Sequence, residues 1–125
     1  MKTLADNFPP YAESVEIKAL GFNEEQTTCF GNFINEKLCL GFFHPSHCTE
    51  DTILAPTYSQ AFDFFREKYG YDVSIKKCTP SEYKFEIEQL FAKGDNDYFI
   101  DFAFKSHKEA ELKCLNKLIE IVVKK

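Results

Sequence analysis

The clearest pattern in the chain is an apolar stripe between residues 58 and 69. Its members recur at the spacing of one helix face: Tyr58, Ala61, Phe62, Phe65 and Tyr69. Thr57 and Gln60 stand three residues apart at its start, where each side chain can satisfy a backbone amide of the other in a capping box. Gly70 follows the last member and can adopt the positive φ that ends a helix. The pattern predicts an amphipathic helix.

Two further segments carry helical spacing. Residues 10–20 start at a pair of prolines, which a first helical turn tolerates, and end before Gly21. Tyr11, Val15 and Ala19 recur four residues apart, with Leu20 beside them. Residues 1–8 are expected to be a frayed lead-in. The last segment opens with a second capping box at 106–109 and continues with Ala110, Cys114, Leu115, Leu118, Ile119, Ile121 and Val122.

Period-two alternation marks three segments, 71–76, 82–88 and 98–104. Every second residue is apolar in each of them, which predicts strands with one buried and one hydrated face. The predicted buried set is Tyr71, Val73, Ile75, Tyr83, Phe85, Ile87, Tyr98, Ile100, Phe102 and Phe104. Turn residues separate the segments, so we expect an antiparallel meander with helices on its buried face.

Residues 27–34 and 38–43 are rich in strand-forming residues and flank a short polar stretch, which favours an antiparallel hairpin. A polar loop at 44–52 follows, and residues 53–54 are expected to add a short edge segment. The predicted order is α-ββ-α-βββ-α. We expect one α+β domain over residues 1–125, with an antiparallel sheet whose helices pack on one face. The hairpin either joins the edge of the meander or caps it.

The balance of charge bears on the class of partner. The chain carries 15 basic and 20 acidic residues, a net charge of −5. Binding nucleic acid through its phosphates needs a clustered basic surface, so the composition argues against a nucleic-acid partner. Fourteen Phe and six Tyr predict a core built from aromatic rings.

The five cysteines, an odd number, bear on the compartment. Residues 1–20 lack the basic start and continuous apolar stretch of a secretory signal. No run reaches the roughly 18 apolar residues that cross a membrane. Free thiols in a reducing compartment explain the cysteines. We therefore expect a cytoplasmic protein with no membrane partner.

Cys39 and the nearby His44, His47 and Cys48 offer the side chains that bind zinc. Their spacing is not that of an established structural zinc site, and Pro45 stiffens the segment in which the ligands must converge. An inert polar loop explains them better. We expect no metal and no cofactor, and a metal-stabilised module is kept as an alternative.

Acidic residues on the hydrated face of the meander are a second candidate. One turn geometry places Glu88 opposite Asp101, and facing carboxylates can serve acid–base chemistry or cation binding. A register two residues away pairs Glu86 with Lys105 and separates the acids. Turn chemistry does not choose between the registers, and a solvated charged face is the simpler interpretation.

Leu90, Phe99 and Ala103 are apolar where the alternation predicts hydrated positions. Such residues mark a partner surface, or they are covered by Phe8 and the residues before it. We take Leu90, Phe99 and Ala103 as the candidate binding residues.

The sequence lacks the common motifs of phosphate-binding loops, zinc proteases and serine hydrolases. A small enzyme would have to use the surface carboxylates or a cysteine–histidine pair that the fold brings together. The spacing favours neither. No catalytic residue is predicted, and a non-enzymatic role is preferred to the enzyme alternative.

Residues 55–70 (APTYSQAFDFFREKYG) and 109–122 (EAELKCLNKLIEIV) resemble a group of small, uncharacterised proteins of bacteriophages and prophages. Residues 19–22 with 29–31 add to the likeness. The resemblance implies expression inside an infected bacterial cell, and it implies no activity, cofactor or catalytic residue. We therefore expect a phage-type accessory protein, an interaction module that acts on a host protein, a phage protein or a small molecule. Its oligomeric state is left open.

Overall fold

The structure is a computed structural model that describes residues 7–22, 29–34, 36–43, 52–90 and 98–124. Its elements are α1 (Tyr11–Ala19), β1 (Cys29–Ile34), β2 (Lys37–Phe43), β3 (Thr52–Ala55), α2 (Tyr58–Tyr69), β4 (Tyr71–Thr79), β5 (Glu82–Gln89), β6 (Tyr98–Phe104) and α3 (His107–Val123). Within the described residues the strands form two antiparallel sheets, ordered β2-β1-β3 and β4-β5-β6. The α+β class is confirmed. The expected edge segment at 53–54 is part of the short edge strand β3, which forms a sheet with the first hairpin, separate from the sheet of the meander.

The chain divides into two compact units, Met1–Ala61 and Phe62–Lys125. Helix α2 begins in the first unit and continues in the second. The expectation of a single domain over residues 1–125 stays a prediction.

In the first unit, β1 is the central strand and pairs with β2 on one side and β3 on the other. Phe33 of β1, Ala55 of β3 and Phe8 form a buried cluster, and the ring of Tyr11 meets that of Phe33 edge to face with centroids 5.4 Å apart. Phe8 is 6% exposed, so the expectation that it belongs to a frayed lead-in is wrong. Phe8 contributes instead to the core of its own unit.

Helix α1 forms where predicted, but it buries a different face. Ser14 and Ile17 are its buried residues, whereas Val15, a member of the predicted stripe, is 39% exposed. The hydroxyl of Ser14 has no hydrogen-bond partner within the described residues. A buried hydroxyl without a partner costs stability, because it gives up its hydrogen bonds to water.

Ser14→Ala is therefore expected to raise the free energy of unfolding by about 1 kcal/mol, from removal of the buried hydroxyl and from the better helix propensity of alanine. Urea unfolding followed by circular dichroism measures the change. Ser59→Ala is the matched control, because Ser59 is an exposed residue of α2 and gains helix propensity alone. A loss of stability in Ser14→Ala would contradict the prediction.

The capping box of α2 is confirmed. The Thr57 amide donates to Gln60 Oε1 at 2.9 Å, and the Gln60 amide donates to Thr57 Oγ1 at 3.1 Å. At the start of α3, the Glu109 amide donates to Ser106 Oγ at 3.1 Å. The Glu109 carboxylate accepts from the Lys105 amide at 3.3 Å, one residue before the cap.

In the second unit, β5 is the central strand of the sheet and α3 packs against all three strands. Phe85 and Ile87 of β5 are buried, and the Phe85 ring stacks on Phe104 with centroids 5.6 Å apart. In α3, Val122 at the end of the predicted stripe is half-buried. The other members of the stripe are buried: Ala110, Cys114, Leu115, Leu118, Ile119 and Ile121. The core of this unit is therefore a helix laid on one face of a sheet.

Candidate functional site

The sheet of the second unit has one face towards α3, the inner face, and one face away from it. The Tyr83 ring meets His107 of α3 at 5.7 Å, so Tyr83, Phe85 and Ile87 lie on the inner face. Alternate residues, and their partners in the strand registers, lie on the other side. We call this side the outer face, and its residues are Asp72, Ser74, Lys76, Lys84, Glu86, Glu88, Tyr98, Ile100 and Phe102.

The outer face exposes three large apolar side chains along β6. Tyr98 is 51% exposed, Ile100 44% and Phe102 60%. All three belong to the predicted buried set, and for them that prediction is wrong. Phe104, the fourth member on this strand, is buried as predicted.

The register of β5 and β6 explains the inversion. The structure pairs Glu88 with Tyr98 and Glu86 with Ile100, whereas the predicted registers paired Glu88 with Asp101 or Glu86 with Lys105. The observed register differs from both by an odd number of residues. An odd shift moves each side chain of a strand to the opposite face.

A bulge returns the end of β6 to the predicted face. Phe85 pairs with Asp101 but Tyr83 pairs with Phe104, so two residues, Phe102 and Ala103, lie opposite Lys84. Ala103 has a φ of 74°, a conformation that costs energy for a residue with a Cβ atom. The bulge lets Phe104 enter the core after three residues of the opposite phase.

The structure separates the predicted binding residues Leu90, Phe99 and Ala103. Phe99 is half-buried on the inner face, with Nζ of Lys117 from α3 5.0 Å from its ring centroid. Leu90, which is 50% exposed, follows the end of β5, and Ala103 is exposed at the opposite end of the β5–β6 pair. Phe8 packs in the first unit with Phe33 and Ala55. Leu90, Phe99 and Ala103 therefore do not form one patch, and a binding role for them stays a prediction.

On the outer face, β4 and β5 carry a pair of acidic residues towards one end and a pair of lysines towards the other. Asp72 of β4 lies directly opposite Glu88 of β5, and Lys76 lies directly opposite Lys84. Like charges in facing positions destabilise a sheet. Sequence periodicity did not reveal this arrangement, because it appears only once the register of β4 and β5 is known.

We call Asp72 and Glu88 the acidic row, Lys76 and Lys84 the basic row, and Tyr98, Ile100 and Phe102 the apolar stripe. Glu86 lies between the two rows and directly opposite Ile100 of the stripe. Its Oε1 accepts from Lys84 Nζ at 3.1 Å. This hydrogen bond holds the pKa of Glu86 below its usual range, and an interaction with the Tyr98 hydroxyl adds to the effect. Desolvation beside the sheet raises the pKa of Tyr98, and its hydrogen bond to Glu86 raises that pKa further. The carboxylate is thus held ionised by its neighbours.

The paired-carboxylate arrangement is not formed. Glu86 and Glu88 lie on the outer face, whereas Asp101 pairs with Phe85 of the inner face and accepts from the Phe102 amide at 2.9 Å. Glu88 lies opposite Tyr98, so neither predicted register occurs. The carboxylate version of the enzyme alternative needs Glu86, Glu88 and Asp101 on one face, and the structure does not place them on one face.

Of the four residues in the zinc alternative, His44, His47 and Cys48 lie outside the described residues. Cys39 is half-buried in β2, with its Sγ 3.8 Å from the carbonyl oxygen of Lys37. In the part of the chain that the structure describes, no three His, Cys, Asp or Glu side chains group to hold a metal ion.

Two of the cysteines differ sharply in their surroundings. Cys114 is fully buried in α3, and burial, with a smaller effect of the Glu111 carboxylate, raises the pKa of its thiol well above the usual range. The thiolate is the nucleophilic form of cysteine, so Cys114 is poorly suited to catalysis. His107 lies on the same helix with its Nδ1 3.3 Å from Glu111 Oε1. Cys78, by contrast, is exposed on β4.

A brief pulse of a maleimide reagent on the native protein is expected to modify Cys78 at least about 100-fold faster than Cys114, since a buried thiol reacts only after local opening. Mass spectrometry of the labelled peptides measures the two rates. Labelling in urea is the control, because unfolding should make the rates similar. Equal rates in the native protein would contradict the burial of Cys114.

Among the described residues, no helix has the length and apolar character needed to cross a membrane. No protein family, curated protein or solved structure is found to match this chain.

Proposed function

We propose that the protein is a non-enzymatic interaction module of the phage-accessory type, which binds another protein through its outer face in the cytoplasm of the host cell. The observation that carries the proposal is the stripe of Tyr98, Ile100 and Phe102, exposed together on one face of a strand at the edge of its described sheet. Exposed apolar patches rimmed by polar residues are typical of sites of association.

The chemistry of the outer face favours a protein over other partners. Exposed aromatic residues are enriched in protein interfaces, and on the outer face Tyr98, Ile100 and Phe102 lie beside the charged residues of β5. Small-molecule sites are concave, whereas these side chains project from a sheet. The three acidic residues of the outer face, Asp72, Glu86 and Glu88, outnumber its two lysines, so the outer face lacks the clustered basic surface that a nucleic acid requires. The likeness of residues 55–70 and 109–122 to phage proteins supports the setting in an infected cell.

Site-specific photocrosslinking in a bacterial host tests the proposal. A photoreactive phenylalanine analogue placed at Ile100 is expected to give a discrete adduct with one protein, identified by mass spectrometry. The same analogue at Leu40 is the matched control, because Leu40 is a similarly exposed apolar residue on a strand of the other unit. No adduct from position 100, or the same adducts from both positions, would contradict the proposal.

A further inference from the structure

The outer face carries charge at both ends and an apolar stripe along one side. Its acidic row, Asp72 and Glu88, continues into Tyr98, and its basic row, Lys76 and Lys84, continues into Phe102 at the bulge. The rows are four strand residues apart, roughly 14 Å. Each row places like charges opposite one another, which is unfavourable in the isolated chain.

We propose that the outer face binds a second copy of this chain, face to face, an inference that rests on the proposed function and names its partner. A two-fold axis that crosses the strands through Ser74, Glu86 and Ile100 exchanges the two ends of the face and leaves each strand over the same strand of its copy. The acidic row of one copy then meets the basic row of the other.

The pairs made by this axis are specific. Asp72 lies over Lys76 of the second copy, and Glu88 lies over its Lys84. Each pair occurs twice, as in any contact of two-fold symmetry. A two-fold axis parallel to the strands would instead place the acidic row on the acidic row. Both axes place Glu86 over Glu86 of the second copy, so this contact does not distinguish them, and the Lys84 Nζ that lies 3.1 Å from each Glu86 Oε1 offsets part of the repulsion. Of these two axes, only the one across the strands brings opposite charges together at both ends of the face.

The apolar stripes also meet in this arrangement. Ile100 packs against Ile100 of the second copy, and Tyr98 packs against its Phe102. Sheets stacked in this way lie about 10 Å apart with interdigitating side chains. An unrelated partner would need its own matching stripe and charge rows, whereas a second copy supplies both.

The size of the outer face sets the expected affinity. It comprises nine residues per copy, well below the roughly 20–30 residues a side of a standard interface. We therefore expect a reversible dimer with a dissociation constant of roughly 10–100 µM. Added salt should weaken it, because its charge pairs lie at the solvent-exposed ends of the face.

Two charge reversals test the arrangement. Asp72→Lys and Lys76→Asp each place like charges in contact twice, so each variant alone is expected to self-associate at least about 10-fold more weakly than the natural chain. Mixed together, the two variants regain opposite charges at both contacts. We expect the mixture to form a heterodimer with an affinity within about 3-fold of the natural dimer. Sedimentation equilibrium at low salt measures all three affinities.

Glu67→Lys and Lys113→Asp are the matched controls. Both residues are exposed and lie outside the outer face. The two substitutions change the net charge by the same amounts as Asp72→Lys and Lys76→Asp. They should leave self-association unchanged. A natural chain that stays monomeric to about 500 µM, or two variants that fail to bind each other although the natural chain dimerises, would overturn the inference.

Failure of the inference can be separated from failure of the proposed function. A monomeric chain whose position 100 still crosslinks to a different protein overturns the dimer and leaves the proposed function standing. A crosslinked adduct of two copies of this chain supports both. Neither a dimer nor an adduct overturns both.

Discussion

Phe85→Ala is expected to lower the free energy of unfolding by about 3–5 kcal/mol, the range for removing a buried aromatic ring. Phe85 is 3% exposed on the central strand β5 and stacks on Phe104 at 5.6 Å. Its removal leaves a cavity between the sheet and α3 that the neighbouring rings can fill only in part. Urea unfolding at low micromolar concentration, followed by far-ultraviolet circular dichroism, measures the loss.

Glu88→Ala is the control for this change, because Glu88 is exposed on the outer face of the same strand and lies opposite Asp72. Its removal relieves repulsion between like charges, so the free energy of unfolding should change by no more than about 0.5 kcal/mol. A loss below about 1 kcal/mol for Phe85→Ala would contradict the placement of this ring in the core.

The faces of β5 and the caps of α2 and α3 could be predicted because the signals that determine them are local. In β5, apolar and charged residues alternate without exception from Glu82 to Glu88, so only one phase buries the rings. The capping boxes depend on side chains three residues apart, a distance that the helix itself fixes. In both cases the neighbouring elements do not alter the outcome.

Helix α1 shows what local spacing leaves undetermined. Its nine residues distribute apolar side chains around the helix, so that a spacing of four favoured Val15 while the structure buries Ile17 and Ser14. A short helix with no dominant stripe takes its orientation from the elements it packs against. Strand alternation likewise identifies faces but not neighbours, so the division of the six described strands into two sheets could not be predicted.

Strand β6 is the element on which the candidate site depends, and its sequence is ambiguous. Large apolar residues occupy both phases: Phe99 in one phase, and Tyr98, Ile100 and Phe102 in the other. The bulge at Phe102 and Ala103 inserts one residue. The alternation of inner and outer side chains therefore changes phase between the two ends of the strand. The pattern alone therefore placed the exposed stripe in the core.

Phe99→Ser and Phe102→Ser distinguish the two placements, because they make the same chemical change on the two faces of one strand. Phe99 is half-buried beneath Lys117 of α3, whereas Phe102 is 60% exposed. Phe99→Ser is expected to lower the free energy of unfolding by about 2–3 kcal/mol, from lost burial and a lost cation–π contact. Phe102→Ser should change it by no more than about 0.5 kcal/mol.

Urea unfolding of both variants at low micromolar concentration gives the comparison. The structure requires Phe99→Ser to be the more damaging change. The alternation of the sequence, which places Phe102 with Phe104 in the core, requires the reverse order. A greater loss for Phe102→Ser would return the stripe to the interior and remove the surface on which both the proposed function and the two-fold dimer depend.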